Sequence, residues 1–359
     1  MYRQLKRMLP SETKIWLRTK LEFLNLMIGG FFAKSRWTAA LYYVLFSRQF
    51  DREHKAVLQG RLVYKQSLTK VGRSSALIRR NIHRLEKGLI MRPRRAVFAS
   101  DYIVETLEVY QKAVQQGTLS DAELTWATDV LTEYFSVVED NVVIAKARAL
   151  FRSCAPGSNA TPVCVPYAHS SLAETSVSFA DLLALFKRRR SVRWYQQKPV
   201  APELIRQAVN AATFAPSACN RQPYRFDLLS EPADAAEIAR CAMGTAGFAD
   251  NIPCLIVVVG DLSCYPAERD RHVIYIDASL AAMQLMLALE TLGLSTCPIN
   301  WPDIEQREAV LQQKLGLAYH ERAVMLMAVG YADPDGGIAW SQKKTDELLV
   351  REVKDVYRD

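Results

Sequence analysis

Apolar residues recur at helical spacing along most of this chain and at strand spacing only in its second half. Leu204, Ile205, Val209 and Ala212 repeat at intervals of one to four behind Pro202, which predicts a helix from Pro202 to Thr213 with proline in its first turn. Ser178 stands where an N-cap would, ahead of an amphipathic run from Phe179 to Lys187. Tyr224 to Leu229 alternates as a strand does, and Leu255 to Val259 and Val324 to Val329 are short apolar runs that fit buried strands. Asp277 to Leu292 is apolar on nearly all sides, the pattern of a central helix buried in a core or between subunits, and Gly293 ends it.

The first half reads as helical. Apolar runs at Leu21 to Phe32 and Trp37 to Phe46 are each shorter than the roughly 20 residues needed to span a bilayer, and Lys34 and Arg36 separate them. They fit helices packed on the rest of the protein, or an interfacial helix rich in aromatics and basic residues. Ser100-Asp101 can cap a helix that runs to Gln116 and stops at Gly117. Ser120-x-x-Glu123 reads as a capping box opening one long helix through about Phe151. Residues 155 to 177 are rich in Pro, Ser and Thr and make the best linker, which divides the chain into a basic, mainly helical region (1–170) and a second domain (171–359). Helices among a few mostly antiparallel strands predict an α+β fold for that domain.

Composition sharpens this picture in two places. Residues 1 to 100 carry 22 Lys and Arg against 5 Asp and Glu, a balance of +17, so the net +8 leaves −9 for the rest. Such a block attracts an anionic surface, and a peripheral contact of residues 1–100 with the cytoplasmic membrane face is the expectation, with no nucleic-acid role. The seven cysteines are scattered without a Cys-x-x-Cys pair, so no disulfide framework and no metal site is expected. The basic N-terminus, with Arg3, Lys6, Arg7, Lys14, Arg18 and Lys20, does not read as a secretion signal, and a cytoplasmic location follows.

The candidate chemistry lies between Lys187 and Phe226. Arg189, Arg190, Ser191 and Arg193 concentrate guanidinium groups and a hydroxyl, which suit a phosphate and a polyol. Pro216-Ser217-Ala218-Cys219-Asn220-Arg221-Gln222-Pro223 offers Ser217, Asn220 and Gln222, which both donate and accept hydrogen bonds. A flavin mononucleotide has both needs. Cys219 has no histidine near it in sequence and reads as a loop thiol. No Gly-x-Gly-x-x-Gly, Gly-x-x-x-x-Gly-Lys or His-Glu-x-x-His occurs, which disfavours a Rossmann dehydrogenase, a P-loop NTPase and a zincin.

In order and spacing, the two elements resemble the Arg-Arg-Ser-x-Arg and Pro-Ser-x-x-Asn-x-Gln-Pro segments of the nitroreductase family, and the resemblance covers residues 178 to 356. It implies that family's α+β fold, bound FMN, NAD(P)H as electron donor, and a homodimer in which the second segment reaches the flavin held by the other subunit. Leu294 to Pro302 looks like the family's loop beneath the flavin ring, which implies contacts from Pro298, Ile299 and Asn300, with a backbone N–H of Asn300 or its neighbour at the flavin N5. Arg193 is implied at the pyrimidine end of the ring. Lys343 and Lys344 resemble a C-terminal basic pair at the phosphate, and either of them could make that contact. The implied activity is hydride transfer to a nitro compound, a quinone or a specialised biosynthetic substrate. Asn81 to Leu89 resembles a His-x-x-Glu-Lys-Gly-Leu element of nitroreductase-like proteins that carry an N-terminal extension near polysaccharide biosynthesis, which leaves a binding or scaffold role as the alternative. His83 and Glu86, three apart on one helix face, read as a structural hydrogen bond.

Overall fold

The structure is a computed structural model and describes residues 11–155 and 162–353. Arg3, Lys6 and Arg7 of the basic N-terminus and residues 156–161 of the proline-rich linker lie outside the described residues.

Two helices, α1 (Ser11–Phe32) and α2 (Arg36–Tyr42), open the chain as an arm. The next, α3 (Asp51–Ser67), packs on the second half of the protein, where Ala56 and Val57 meet Leu262, Tyr265 and Ile274. Gly60 makes this approach possible, since a Cβ there would lie 2.8 Å from the backbone of Leu262. A bundle follows: α4 (Ala76–Leu89), α5 (Ile103–Gln116), α6 (Asp121–Val137) and α7 (Val142–Cys154), around a core that includes Leu77, Ile82, Leu107, Tyr110, Leu131 and Ile144.

Three boundaries differ from the sequence expectation. The long helix predicted through Phe151 is two helices, because the Asn141 side chain accepts hydrogen bonds from Val143 N (3.0 Å) and Ile144 N (2.9 Å) and starts α7 afresh. Arg148 closes the break, donating to the carbonyls of Phe135 and Val138 at the end of α6. No capping box forms at Ser120, since the Glu123 carboxylate is drawn across the bundle to Ser75 N (2.9 Å) and Ser74 Oγ (2.8 Å). Finally, α5 begins at Ile103 and not directly after Ser100-Asp101, because Ser100 accepts from Asn141 Nδ2 and Asp101 pairs with Arg84.

The second domain is built on one antiparallel sheet in the order β1-β2-β4-β3: β1 (Tyr224–Leu229), β2 (Cys254–Asp261), β3 (Ser295–Asn300) and β4 (Glu321–Gly330). Its elements along the chain include α8 (Phe179–Arg188), α9 (Pro202–Ala212), α10 (Pro232–Ala239), α11 (Val273–Thr291) and α12 (Glu305–Leu315). Strand alternation sorts the core into two layers. Ile256, Val258, Met327 and Val329 face α9 and α11, while Leu255, Val257, Leu326 and Ala328 face Ile238 and Ala239 of α10 and Leu311 of α12. The fold is α+β, a four-stranded antiparallel sheet flanked by helices and preceded by a helical region. The region expected as a loop from Leu294 to Pro302 is mostly the edge strand β3, hydrogen-bonded to β4 along its length.

Candidate functional site

The two polar elements sit at opposite ends of α11. At its C-terminal end, α8 is capped by Ser178, whose Oγ accepts from Asp181 N at 3.1 Å, and it delivers Lys187 and Arg188 in its last turn. Arg188 Nε reaches Glu290 Oε1 at 3.0 Å, and that carboxylate is buried. The chain then runs extended against the edge strand. Ser191 bridges Thr296 in parallel, Val192 N donates to Thr296 O at 3.0 Å, and the buried Tyr195 hydroxyl donates to Val192 O at 2.6 Å. Burial holds the Tyr195 phenol well above its ordinary value, so it stays a donor.

This pairing lays the arginine element along β3. Burial pushes the Cys297 thiol up while Arg193 and Arg189 pull it down, so both guanidinium groups act on the strand's centre. Arg190 donates back to the Arg189 carbonyl at 3.1 Å, and the Arg193 guanidinium lies 5.9 Å from the centre of the Phe248 ring. Two polar atoms here stand out: Arg189 Nε and Thr296 Oγ1 are buried with no hydrogen-bond partner among the described residues. Buried polar atoms are nearly always satisfied, and Arg221, Tyr224, Tyr265 and Arg322 hold the other such atoms among the described residues. Of the other expected residues, Ile299 is buried in β3, Pro298 is half-buried, and Asn300 stands exposed at the end of the strand. Trp301 anchors that end by donating Nε1–H to the buried Glu308 at 2.7 Å.

At the N-terminal end of α11 lies the loop from Ser217 to Gln222. Cys219, Asn220 and Gln222 all have φ near +50°, the left-handed region that non-glycine residues rarely adopt. Bonds from three sides hold it there. Ala218 N donates to the buried Asp277 carboxylate at 2.9 Å, Gln222 N to Ser217 Oγ at 3.1 Å, and Gln222 Nε2 to Thr213 O at 3.0 Å. From the helical bundle, Arg79 donates Nε to Asn220 O at 2.8 Å and Nη2 to Gln222 Oε1 at 3.1 Å. The same guanidinium meets the Glu123 carboxylate at 3.1 Å. The loop is thus ordered in part by the N-terminal region.

Asp277 and Glu290, the two contact points on α11, are thirteen residues apart in the sequence, roughly 20 Å at about 1.5 Å of rise per residue. The arginine element and the Ser217 loop are thus attached at opposite ends of this helix. The structure does unite Arg189, Ser191 and Arg193 with β3. Lys343 and Lys344 lie exposed on the irregular segment after β4, and neither ammonium has an ion-pair partner among the described residues. Sequence reasoning missed Arg79, Asp277 and Thr296. Nothing in a basic run or an apolar helix says which of its polar members reaches across the fold.

Residues 186–246 and 227–331 match the model of the Nitroreductase family. The second domain belongs to the nitroreductase family. Members of this family are oxidoreductases. Over 45% of its length, the chain is 29% identical to 92% of an NADH dehydrogenase of Thermus thermophilus. It is 25% identical over 52% of its length to 75% of iodotyrosine deiodinase 1 of Mus musculus. Among solved structures, a nitroreductase family protein of Streptococcus pneumoniae aligns with 48% of this chain and all of its own, at 23% identity and a TM-score of 0.42. An FMN-dependent nitroreductase of Clostridium difficile aligns with 44% of this chain and 92% of its own, at 23% identity and a TM-score of 0.39.

Proposed function

We propose that this protein is an FMN-dependent oxidoreductase that takes hydride from NAD(P)H and delivers two electrons to a small acceptor: a nitro compound, a quinone or a biosynthetic intermediate of similar reactivity. The observation that carries this reading is the buried, unpartnered pair of Arg189 Nε and Thr296 Oγ1, set where the arginine element lies on β3 of a nitroreductase-family domain. The donor set fits the group. Guanidinium groups suit a phosphate and the negative charge of a reduced flavin, and Ser191 and Thr296 supply hydroxyls for a polyol. Two relatives carry names consistent with such redox work, an NADH dehydrogenase and a deiodinase.

The chemistry that a bound FMN supplies is two-electron transfer, hydride accepted from reduced nicotinamide and passed to an acceptor. This chain's residues bind and orient. Arg189, whose Nε–H is unpartnered among the described residues, would hold the group, and Arg193 would supply a fixed positive charge that favours its reduced, anionic form. The backbone of Asn300 is offered at the exposed end of an otherwise pinned strand. No side-chain acid or base is required at this stage.

We infer further that the working unit is a homodimer in which the Ser217–Gln222 loop of one chain closes over the arginine element of the other. The attachment of the two elements at opposite ends of α11 supports this reading, as does the exposed apolar surface of the domain. Ile276, Leu280 and Met283 form one exposed stripe on α11, and Phe179 and Phe186 lie exposed on α8. Reconstitution of the flavin-free protein with FMN, followed by anaerobic addition of NADH or NADPH, tests the function. Bleaching of the bound flavin, and its recovery on adding a quinone or nitro compound, is expected; a protein that takes up no FMN, or whose bound flavin neither nicotinamide reduces, overturns it.

A further inference from the structure

The surface of the N-terminal arm is unlike the rest of the protein. From Ser11 to Lys55 no described residue is buried, and the first buried residue is Ala56 in α3. Yet the arm carries large apolar side chains more than half exposed: Trp16, Phe23, Leu26, Phe31, Trp37 and Val44. Soluble monomers rarely expose so continuous an apolar surface. The arm is also preorganised. Thr38 Oγ1 donates to Phe32 O at 2.6 Å, Thr38 N donates to Ser35 Oγ at 3.2 Å, and the rings of Phe32, Tyr42 and Phe46 pack within 6 Å of one another. It is a helix–turn–helix with its own small joint.

Charge decides what covers it. Residues 11 to 50 contain six Lys and Arg against two Glu. Basic residues beyond the arm are used internally, as in Arg52 with Glu305, Arg61 with Glu268 and Arg79 with Glu123. Within it Arg48 pairs with Asp51 at the arm's end, whereas Lys20, Lys34 and Arg36 have no ion-pair partner among the described residues. Lys20 lies over the Trp16 ring, Lys34 over Phe31 and Arg36 over Trp37, so the cations stand beside the exposed rings and away from carboxylates. A second copy of the arm would bring like charges together. An anionic bilayer offers negative headgroups and, a few ångströms deeper, an apolar layer for the rings.

We propose that residues 11–50 form a docking arm that lies in the interfacial plane of an anionic phospholipid bilayer, aromatic rings sunk at the headgroup boundary and Lys and Arg among the headgroups. The arm lies on the membrane and does not span it. Among the described residues only Glu268–Thr291 is long and apolar enough to cross, and its helix α11 is a core element, with Ala278, Ala281, Leu285 and Leu289 fully buried. The enzyme would be held peripherally at the cytoplasmic face, within reach of acceptors that reside in or near the lipid. This docking is independent of whether the second domain binds flavin.

The test is co-sedimentation of full-length protein with vesicles of phosphatidylcholine alone and of phosphatidylcholine with phosphatidylglycerol, at low and high ionic strength. Preference for the anionic vesicles by at least about tenfold, falling with salt, is expected. Replacing Lys20, Lys34 and Arg36 by Gln should lower partitioning roughly a hundredfold, at about 1 kcal/mol for each charge. A second variant, Phe23→Ser with Phe31→Ser and Trp37→Ser, should abolish it. Since none of these side chains is buried, both variants should keep the wild-type thermal midpoint and oligomeric state. Equal binding to neutral and anionic vesicles, no binding at low salt, or a serine variant that changes the oligomeric state while partitioning as before would overturn the proposal; the last result would identify the arm as a contact between copies.

Discussion

Arg79 of the helical bundle donates its Nε–H to the carbonyl oxygen of Asn220, 141 residues later in the chain, at 2.8 Å. Asn220 sits in the left-handed region at φ +52°, between Cys219 and Gln222, which are left-handed too, so the contact fixes a loop that has little intrinsic reason to adopt its shape. One guanidinium thereby ties α4 and Glu123 to the segment read as the lid of the flavin site. Arg79→Ala should lower stability by roughly 2–3 kcal/mol, because it removes charge-assisted bonds and strands a buried carboxylate. Urea unfolding measures this, and a change below about 0.5 kcal/mol would show that the loop holds itself.

Gly60 gives a prediction whose sign runs against helix propensity. In an exposed helix Gly→Ala stabilises by up to about 1 kcal/mol, yet here the added methyl would meet the backbone and Cβ of Leu262 at 2.8 Å. Gly60→Ala should therefore destabilise by about 1–3 kcal/mol as α3 is pushed off the second domain. A raised thermal midpoint would contradict the packing described.

The arginines separate by their partners. Arg189 Nε has none among the described residues, whereas Arg190 donates to the carbonyl of Arg189. FMN titration should show Arg189→Ala weakening binding roughly ten- to hundredfold, with a smaller loss for Arg190→Ala. Equal affinities in both variants would sink the assignment.

Asp277 supplies a pH dependence. Burial pushes its carboxyl up, opposed by the Ala218 amide that donates to it. A raised acid favours the protonated folded state, so this contribution to stability is complete below the unfolded-state pKa and is lost as pH rises through the folded one. In Asp277→Asn the group no longer titrates, and its stability relative to wild type should improve from acid toward neutral pH. Chemical unfolding across that range checks the slope; a constant difference would mean that the buried carboxylate is fully compensated.

Much of the second domain was legible because its signals are local. Ser178 does cap α8, Pro202 does open α9, and the three apolar runs are β1, β2 and β4. β3 was read as a loop from the family resemblance alone; Ser295-Thr296-Cys297-Pro298-Ile299-Asn300 contains a proline and mixed polarity, which an edge strand tolerates. Glu123 misled for a different reason: a capping box and a long-range acceptor look alike until the partner helix is in place. The α11 pattern, apolar all round, was correct about composition but silent on division, since one face packs on the sheet and another carries Ile276 and Leu280 to the surface. That Asp277 and Glu290 of α11 are the points where the two polar elements attach was not legible, because a spacer in sequence says nothing about a helix much later in the chain.

The central claim is a flavin site assembled from the arginine element of one chain and the Ser217–Gln222 loop of another, and a mixed dimer tests it most directly. Arg189→Ala chains and Asn220→Gly chains, the glycine chosen to keep the positive φ and the carbonyl that Arg79 holds, would be co-expressed under different tags and purified as the heterodimer. Each variant homodimer should be nearly free of FMN, whereas the heterodimer should hold about one FMN per pair, because one of its two sites is built from two intact elements. A heterodimer as empty as its parents, or a flavin-loaded monomer, would contradict the account.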